Sequence, residues 1–177
     1  MDYTIKALEH TIQQADIDRI LELYGDSLLR MCYIYLRDKQ LAEDAVQDTL
    51  IKIYRNYHTF KSYSSEKTWI MAIAINTCKN YMRANWFKKV VTGLRTEHSE
   101  YDSLDEKMIK DEKGQEIIEE IMQLNHKYRE VILLYYYQEM STKEISAILG
   151  IKEGTVRVRL QRAREKLSIT LRKVGYR

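Results

Sequence analysis

The chain has 177 residues, no proline and only six glycines, with 45% hydrophobic residues and a formal net charge of +3. That length can bury one good core or two small ones, and 3.6-period patterning nearly everywhere predicts an all-α protein without strands. No apolar run approaches the roughly 20 residues of a membrane span and no basic-then-apolar leader follows Met1, so direct membrane insertion is not expected and a cytoplasmic protein is.

Charge divides along the chain. Residues 1–89 hold thirteen Lys/Arg against eleven Asp/Glu, residues 90–124 hold four against ten, and residues 125–177 hold twelve against five. A near-neutral front, an acidic middle and a basic tail predict two modules: a helical domain over 1–89, a flexible acidic linker over 90–114 and a second helical domain over 115–177. The two cysteines, Cys32 and Cys78, lack metal-ligand spacing and sit in apolar-periodic helices, as reduced core thiols do.

In chain order, helices are expected over 5–14 and over 17–36 behind an Asp16 cap, then from Asp38 to Tyr57. On this third helix Ala42, Val46, Thr49, Leu50, Ile53 and Tyr57 share one face. Asp44, Gln47 and Asp48 ring an exposed Ile51 on the other, which suits docking to a protein partner better than plain solvation. A polar and aromatic loop over 58–65 precedes a fourth helix over 66–85. Its inner face is Ile70, Met71, Ala74, Ile75, Cys78, Tyr81 and Met82, and its outer face carries Trp69, Ala72, Asn76, Lys79, Asn80 and Arg83. Together with Phe60, Lys61, Tyr63, Ser64 and Ser65 of the loop, this face interleaves aromatic rings with cations and amides, which suits unpaired bases.

Helices over 115–124, 126–138, 142–149 and 153–173 complete the tail. Ser141 and Glu144 have the spacing of a capping box and Gly150 is a natural stop. The last helix buries Val156, Leu160, Ala163 and Leu167 on a narrow stripe, leaving Thr155, Arg157, Val158, Gln161 and Arg162 on the opposite arc, with Arg159 and Arg164 nearby. A capped helix, a short glycine-bounded turn and an arginine-rich second helix predict a helix-turn-helix that reads duplex DNA: arginine matches phosphate and the guanine edge, glutamine adenine, and valine the thymine methyl.

Three ordered blocks resemble the extracytoplasmic-function (group IV) sigma factors of the bacterial sigma-seventy family. They are Leu36-Arg37-Asp38 through Asp48-Thr49-Leu50, Lys67-Thr68-Trp69-Ile70 through Ala74-Ile75-Asn76, and Tyr128-Arg129-Glu130-Val131 through Gly154-Thr155-Val156-Arg157 to Lys166-Leu167. The resemblance implies promoter recognition on behalf of core RNA polymerase. The front domain would dock on the largest subunit through Asp44, Gln47 and Asp48, and would hold melted promoter with the loop, Asn76, Lys79, Asn80 and Arg83. The tail helix would read the upstream promoter element, and an anti-sigma factor, often membrane-bound, would hold the protein inactive. Asn80, Asn125 and Val158 stand where the family often has Asp, Pro and Ser, so a relative's promoter sequence does not transfer. Two other readings stay open. A self-sufficient regulator would need tight binding of free protein to duplex sites. A nucleic-acid enzyme is disfavoured, because the four histidines form no metal-ligand motif and no glycine loop cradles phosphate or a cofactor.

Overall fold

The computed structural model describes residues 14–61, 63–92 and 112–173, and all regular elements among these are helical. They are α1 (Gln14–Leu36), α2 (Lys39–Asn56), a 3-10 turn (Tyr57–Thr59), α3 (Glu66–Thr92), α4 (Glu112–Gln123), α5 (His126–Ile132), a π turn (Leu133–Tyr137), α6 (Thr142–Leu149) and α7 (Glu153–Lys173). All but Gln14 of the helix expected over 5–14, and most of the expected linker, 93–111, lie outside the described residues.

Element types follow the sequence more closely than element ends do. Asp38 caps α2, accepting from the Leu41 N–H at 2.9 Å. Asp16 does not cap α1, which begins at Gln14 and holds Asp16 in its first turn. Helix α3 runs past Asn85 to Thr92, into the span assigned to the linker, because nothing before Gly93 breaks it. The helix expected over 126–138 is α-helical only to Ile132. There the Gln138 N–H reaches back five residues to the Leu133 carbonyl at 3.0 Å, a π turn that buries Leu133 and Leu134 and leaves Tyr136 and Tyr137 exposed. Glu139 closes the turn in the left-handed region at φ 55°.

Helices α1, α2 and α3 pack as a front lobe around Ile20, Leu28, Met31, Cys32, Ala45, Ile53, Ile70, Ala74 and Ile75. Cys32 and Cys78 meet there as buried free thiols with sulfurs 3.5 Å apart. The hydrogen bond to Cys32, reinforced by burial, pushes the Cys78 thiol far above its ordinary value and keeps it protonated. Helices α4 to α7 form a tail lobe around Met122, Val131, Leu134, Ile145, Ile148, Val156 and Leu160.

The lobes touch, and the seam is polar as well as apolar. Arg129, buried, donates to the Tyr35 carbonyl of the front lobe at 2.6 Å and to the Met122 and Leu124 carbonyls at 2.5 and 2.8 Å. Lys67 donates to the Gln138 carbonyl at 2.6 Å, and Thr68 to Glu144 at 2.9 Å. One carboxylate from α5, Glu130, sits 3.4 Å from Lys79 of α3 and 2.8 Å from Arg159 of α7 with its own side chain 4% exposed. A buried acid is tolerable only when paired, and here two cations from different lobes share it.

Candidate nucleic-acid interface

The tail lobe builds its surface from local rules. Ser141 Oγ accepts from the Glu144 N–H at 3.3 Å while the Glu144 carboxylate accepts from the Ser141 N–H at 3.0 Å, so both halves of the capping box form. Gly150 ends α6 at φ +64°, a conformation that costs any residue with a Cβ. Two side chains then hold the turn into α7: Ser146 Oγ donates to the Ile151 carbonyl and Thr142 Oγ1 to Glu153, both at 2.6 Å.

On α7, Val156, Leu160 and Ala163 are buried, and Thr155, Arg157, Val158, Gln161 and Arg162 are exposed on the opposite arc. Arg157 pairs with Glu153 at 2.7 Å and Gln161 with Glu165 at 3.1 Å, both on the helix's own surface. Such exposed pairs cost little to exchange for a ligand. The remaining two expected readers are held elsewhere. Arg159 turns inward to Glu130. Arg164 lies over the Tyr135 and Tyr136 rings, 5.5 and 5.6 Å from their centroids, and donates to the Tyr136 hydroxyl at 2.7 Å.

The front lobe's surface is assembled across elements. Asn76, Asn80 and Arg83 are exposed along one stripe of α3, whereas Lys79, on the same side, leans to Glu130. Phe60 and Trp69 are half-buried rather than presented outward. Their centroids are 5.5 Å apart, and Tyr57 packs on both, edge-on to Trp69 at 5.9 Å and tilted to Phe60 at 6.0 Å. This ring cluster floors the loop. Above it Lys61, Tyr63, Ser64 and Ser65 are exposed, Tyr63 at 93%, and Ser65 uses its hydroxyl to cap α3 through the Thr68 N–H at 3.1 Å.

One feature of the loop escaped the sequence pattern. Arg19 of α1 grips the Glu66 carboxylate with both terminal nitrogens, at 2.9 and 2.6 Å, and the Tyr57 hydroxyl donates to Glu66 at 2.6 Å. The Arg19 hydrogen bonds hold the Glu66 carboxyl below the usual range against its burial, while burial and the bond to Glu66 push the Tyr57 hydroxyl up to about 12. Glu130 and Arg129 were likewise missed. Their only sequence signal is two charges inside the apolar run Tyr128-Arg129-Glu130-Val131-Ile132-Leu133-Leu134.

The residues expected to form a docking face lie on α2 with unequal exposure. Gln47 and Ile51 are exposed, Asp44 and Asp48 half-buried, and Tyr54, exposed at 53% one turn beyond Ile51, widens the apolar patch. Asp48 also accepts from the Tyr81 hydroxyl at 3.0 Å, so it braces α3 as well as facing outward. Burial, with help from Asp48, pushes Tyr81 up to about 12.

Comparison with known proteins accounts for both lobes. Residues 20–88 match the family model for sigma-70 region 2, and residues 114–167 that for sigma-70 region 4. The chain is 31% identical, over 97% of its length and 99% of the relative's, to the ECF RNA polymerase sigma factor SigW of Bacillus subtilis. It is 32% identical to the ECF RNA polymerase sigma factor SigM of the same organism, over 85% of this chain and 92% of that one. Among solved structures, the sigma factor RpoE in complex with the anti-sigma factor NepR from Bartonella quintana superposes with a TM-score of 0.74 at 28% identity, covering 91% of this chain and 99% of that one.

Proposed function

The chain belongs to the extracytoplasmic-function sigma factors, which direct promoter recognition and transcription initiation by core RNA polymerase, and from that premise we propose how its surface divides the work. The face of α2 bearing Asp44, Gln47, Asp48 and Ile51 docks on the polymerase. The loop tip at Lys61, Tyr63 and Ser64, with Asn76, Asn80 and Arg83, holds bases of the melted downstream element. The arc at Thr155, Arg157, Val158, Gln161 and Arg162 reads the upstream element as duplex.

The carrying observation is that arc: five exposed polar or methyl-bearing side chains opposite a buried stripe, on the second helix of a capped helix-turn-helix. Arg159 and Arg164 act one step back, the first anchoring α7 to Glu130 and the second joining it to the tyrosines of the π turn. Lys79 reaches a DNA strand only by leaving Glu130, which ties the use of the front face to a loosening of the seam between lobes.

The chain's share is binding and positioning, with phosphodiester chemistry left to the polymerase. Among the described residues no group of three or more His, Cys, Asp or Glu could hold a metal, and no helix is long and apolar enough to cross a membrane. The setting that fits is the cytoplasm, where the polymerase works. The likeness to a sigma factor solved with its anti-sigma factor supports a protein inhibitor of that kind for this chain as well. Reconstitution with core polymerase, followed by mapping of the start sites selected, tests the assignment: transcripts should begin at one promoter class and vanish when Thr155, Arg157 and Gln161 are all alanine. Start-site selection unchanged by that triple substitution would remove the arc from promoter reading.

A further inference from the structure

The segment proposed to hold a melted base is bounded by two residues that bond to each other. Tyr57 caps the C-terminus of α2 and opens the 3-10 turn, Glu66 opens α3, and the 2.6 Å hydrogen bond from the Tyr57 hydroxyl to Glu66 closes the base of the loop between them. That closure depends on a third residue distant in sequence. Arg19, on α1, binds both carboxylate oxygens of Glu66, and its second nitrogen also reaches the Tyr57 hydroxyl at 3.3 Å. Exposed ion pairs between single side chains contribute little, but this one differs in two respects. The guanidinium is bidentate, so it fixes the carboxylate's rotation as well as its position. The carboxylate is also only 18% exposed and takes a further donor from Tyr57.

Beneath the closure lie the Tyr57, Phe60 and Trp69 rings, so a change in Tyr57's tilt is passed directly to Phe60 at the start of the loop. Arg19 itself packs at the loop's closed end, while the exposed tip is Tyr63 and Ser64. We propose that Arg19 is a positioning residue for the melted-strand loop: through Glu66 and Tyr57 it fixes the two flanks of the loop, Tyr57–Phe60 and Ser65–Glu66, so that the tip at Tyr63 and Ser64 presents one base-sized slot rather than a family of shapes. This rests on the reading of that loop as the base-holding element. Fixed geometry matters because a loosely held site loses the energetic difference between the right and the wrong base before it loses binding altogether.

The test uses holoenzyme reconstituted from core polymerase and the full chain, with single-stranded downstream-element oligonucleotides, either cognate or substituted at one base at a time. Arg19→Ala should lower affinity for the cognate strand about tenfold, the size of losing a hydrogen-bonded charged group, and should leave affinity for the strand substituted at the loop-facing base almost unchanged. The discrimination ratio then collapses while affinity for core polymerase stays near the parent's and the free protein remains folded, its melting temperature lowered only by the loss of the Arg19–Glu66 pair. Arg19→Lys, which cannot grip both oxygens, should restore only part of the ratio, and Tyr57→Phe, which keeps the bidentate Arg19–Glu66 pair, should lower it as well. An intact ratio in Arg19→Ala, when alanine at Tyr63 and Ser64 abolishes it, overturns the positioning role alone. An intact ratio in all of these variants overturns the loop reading and the positioning role together. A loss shared equally by cognate strand, substituted strand and core polymerase affinity makes Arg19 a brace of the front lobe and nothing more.

Discussion

The two surfaces proposed to meet nucleic acid are built in opposite ways. In the tail lobe the presenting arc lies on α7 alone, set by a capping box, one left-handed glycine and helical periodicity. In the front lobe the surface is gathered from α1, the 3-10 turn, the loop and α3, and its shape hangs on contacts 9 to 47 residues apart in sequence. A site written on one helix is robust to changes elsewhere and sensitive to its own side chains. A site gathered from several elements is sensitive to residues that never touch the ligand.

That contrast breaks first at the seam. Glu130 serves both lobes, and removing one partner of a buried pair costs about 3–5 kcal/mol because the other charge is stranded. Glu130→Ala should lower unfolding free energy by about that much in urea titration, by stranding Arg159 and releasing Lys79 together. Lys79→Ala, which leaves the Arg159 contact in place, should cost well under half as much. Equal losses would mean that Lys79 is as deeply embedded as Arg159 and that the lobes form one unit.

A sharper form of the contrast concerns direct readout. Arg162 has no partner among the described residues and stands on the exposed arc, so Arg162→Ala should leave stability unaltered. It should weaken duplex binding by about 1–3 kcal/mol and relax preference at one base position if the side chain reads a guanine edge. Selection of sites from a randomised upstream element checks this. Uniform weakening with a smaller salt slope would reassign Arg162 to a phosphate.

The cap separates local from gathered structure at smaller energy. Ser141→Ala removes one half of the capping box and should cost about 1 kcal/mol, and because Glu144 also accepts from Thr68 of α3, part of that cost should appear as looser packing between lobes. Hydrogen exchange that rises only within α6 would show the cap to be purely local.

Acid should distinguish the two carboxylates that anchor these designs. Glu66 is held low first by Arg19 and Glu144 first by Ser141, so each is ionised more readily in the fold than in the unfolded chain. Their contribution is complete above the ordinary carboxylate value and is lost as pH falls through the lowered one. Glu66→Gln should therefore flatten part of the acid-unfolding curve below about pH 4.5 and leave stability between pH 6 and 8 with little slope. A curve superimposable on the parent's after allowing for a constant offset would remove Glu66 from the acid response.

The sequence by itself determined what depends on neighbours within a helical turn or two. All-α structure, the Ser141 cap, the stop at Gly150, the Val156, Leu160 and Ala163 stripe of α7 and the opposite arc follow from side-chain chemistry at fixed spacing, and each stands where the pattern puts it, with Leu167 half-buried at the stripe's end. The ordered motifs sufficed for the family as well. Tertiary structure alone decided which charged groups are consumed internally. Lys79, Arg159 and Arg164 look, by periodicity, like their neighbours Asn80, Arg157 and Arg162. They differ only because a buried carboxylate and a tyrosine pair, brought close by packing, lie within reach. Trp69 lay on the outer face of an isolated helix and is half-buried because Tyr57 and Phe60 fold back over it. Arg19 carries no local signal at all. Its partner is 47 residues away, and an ion pair between distant residues is set by where two helices cross, which no spacing rule along one chain encodes.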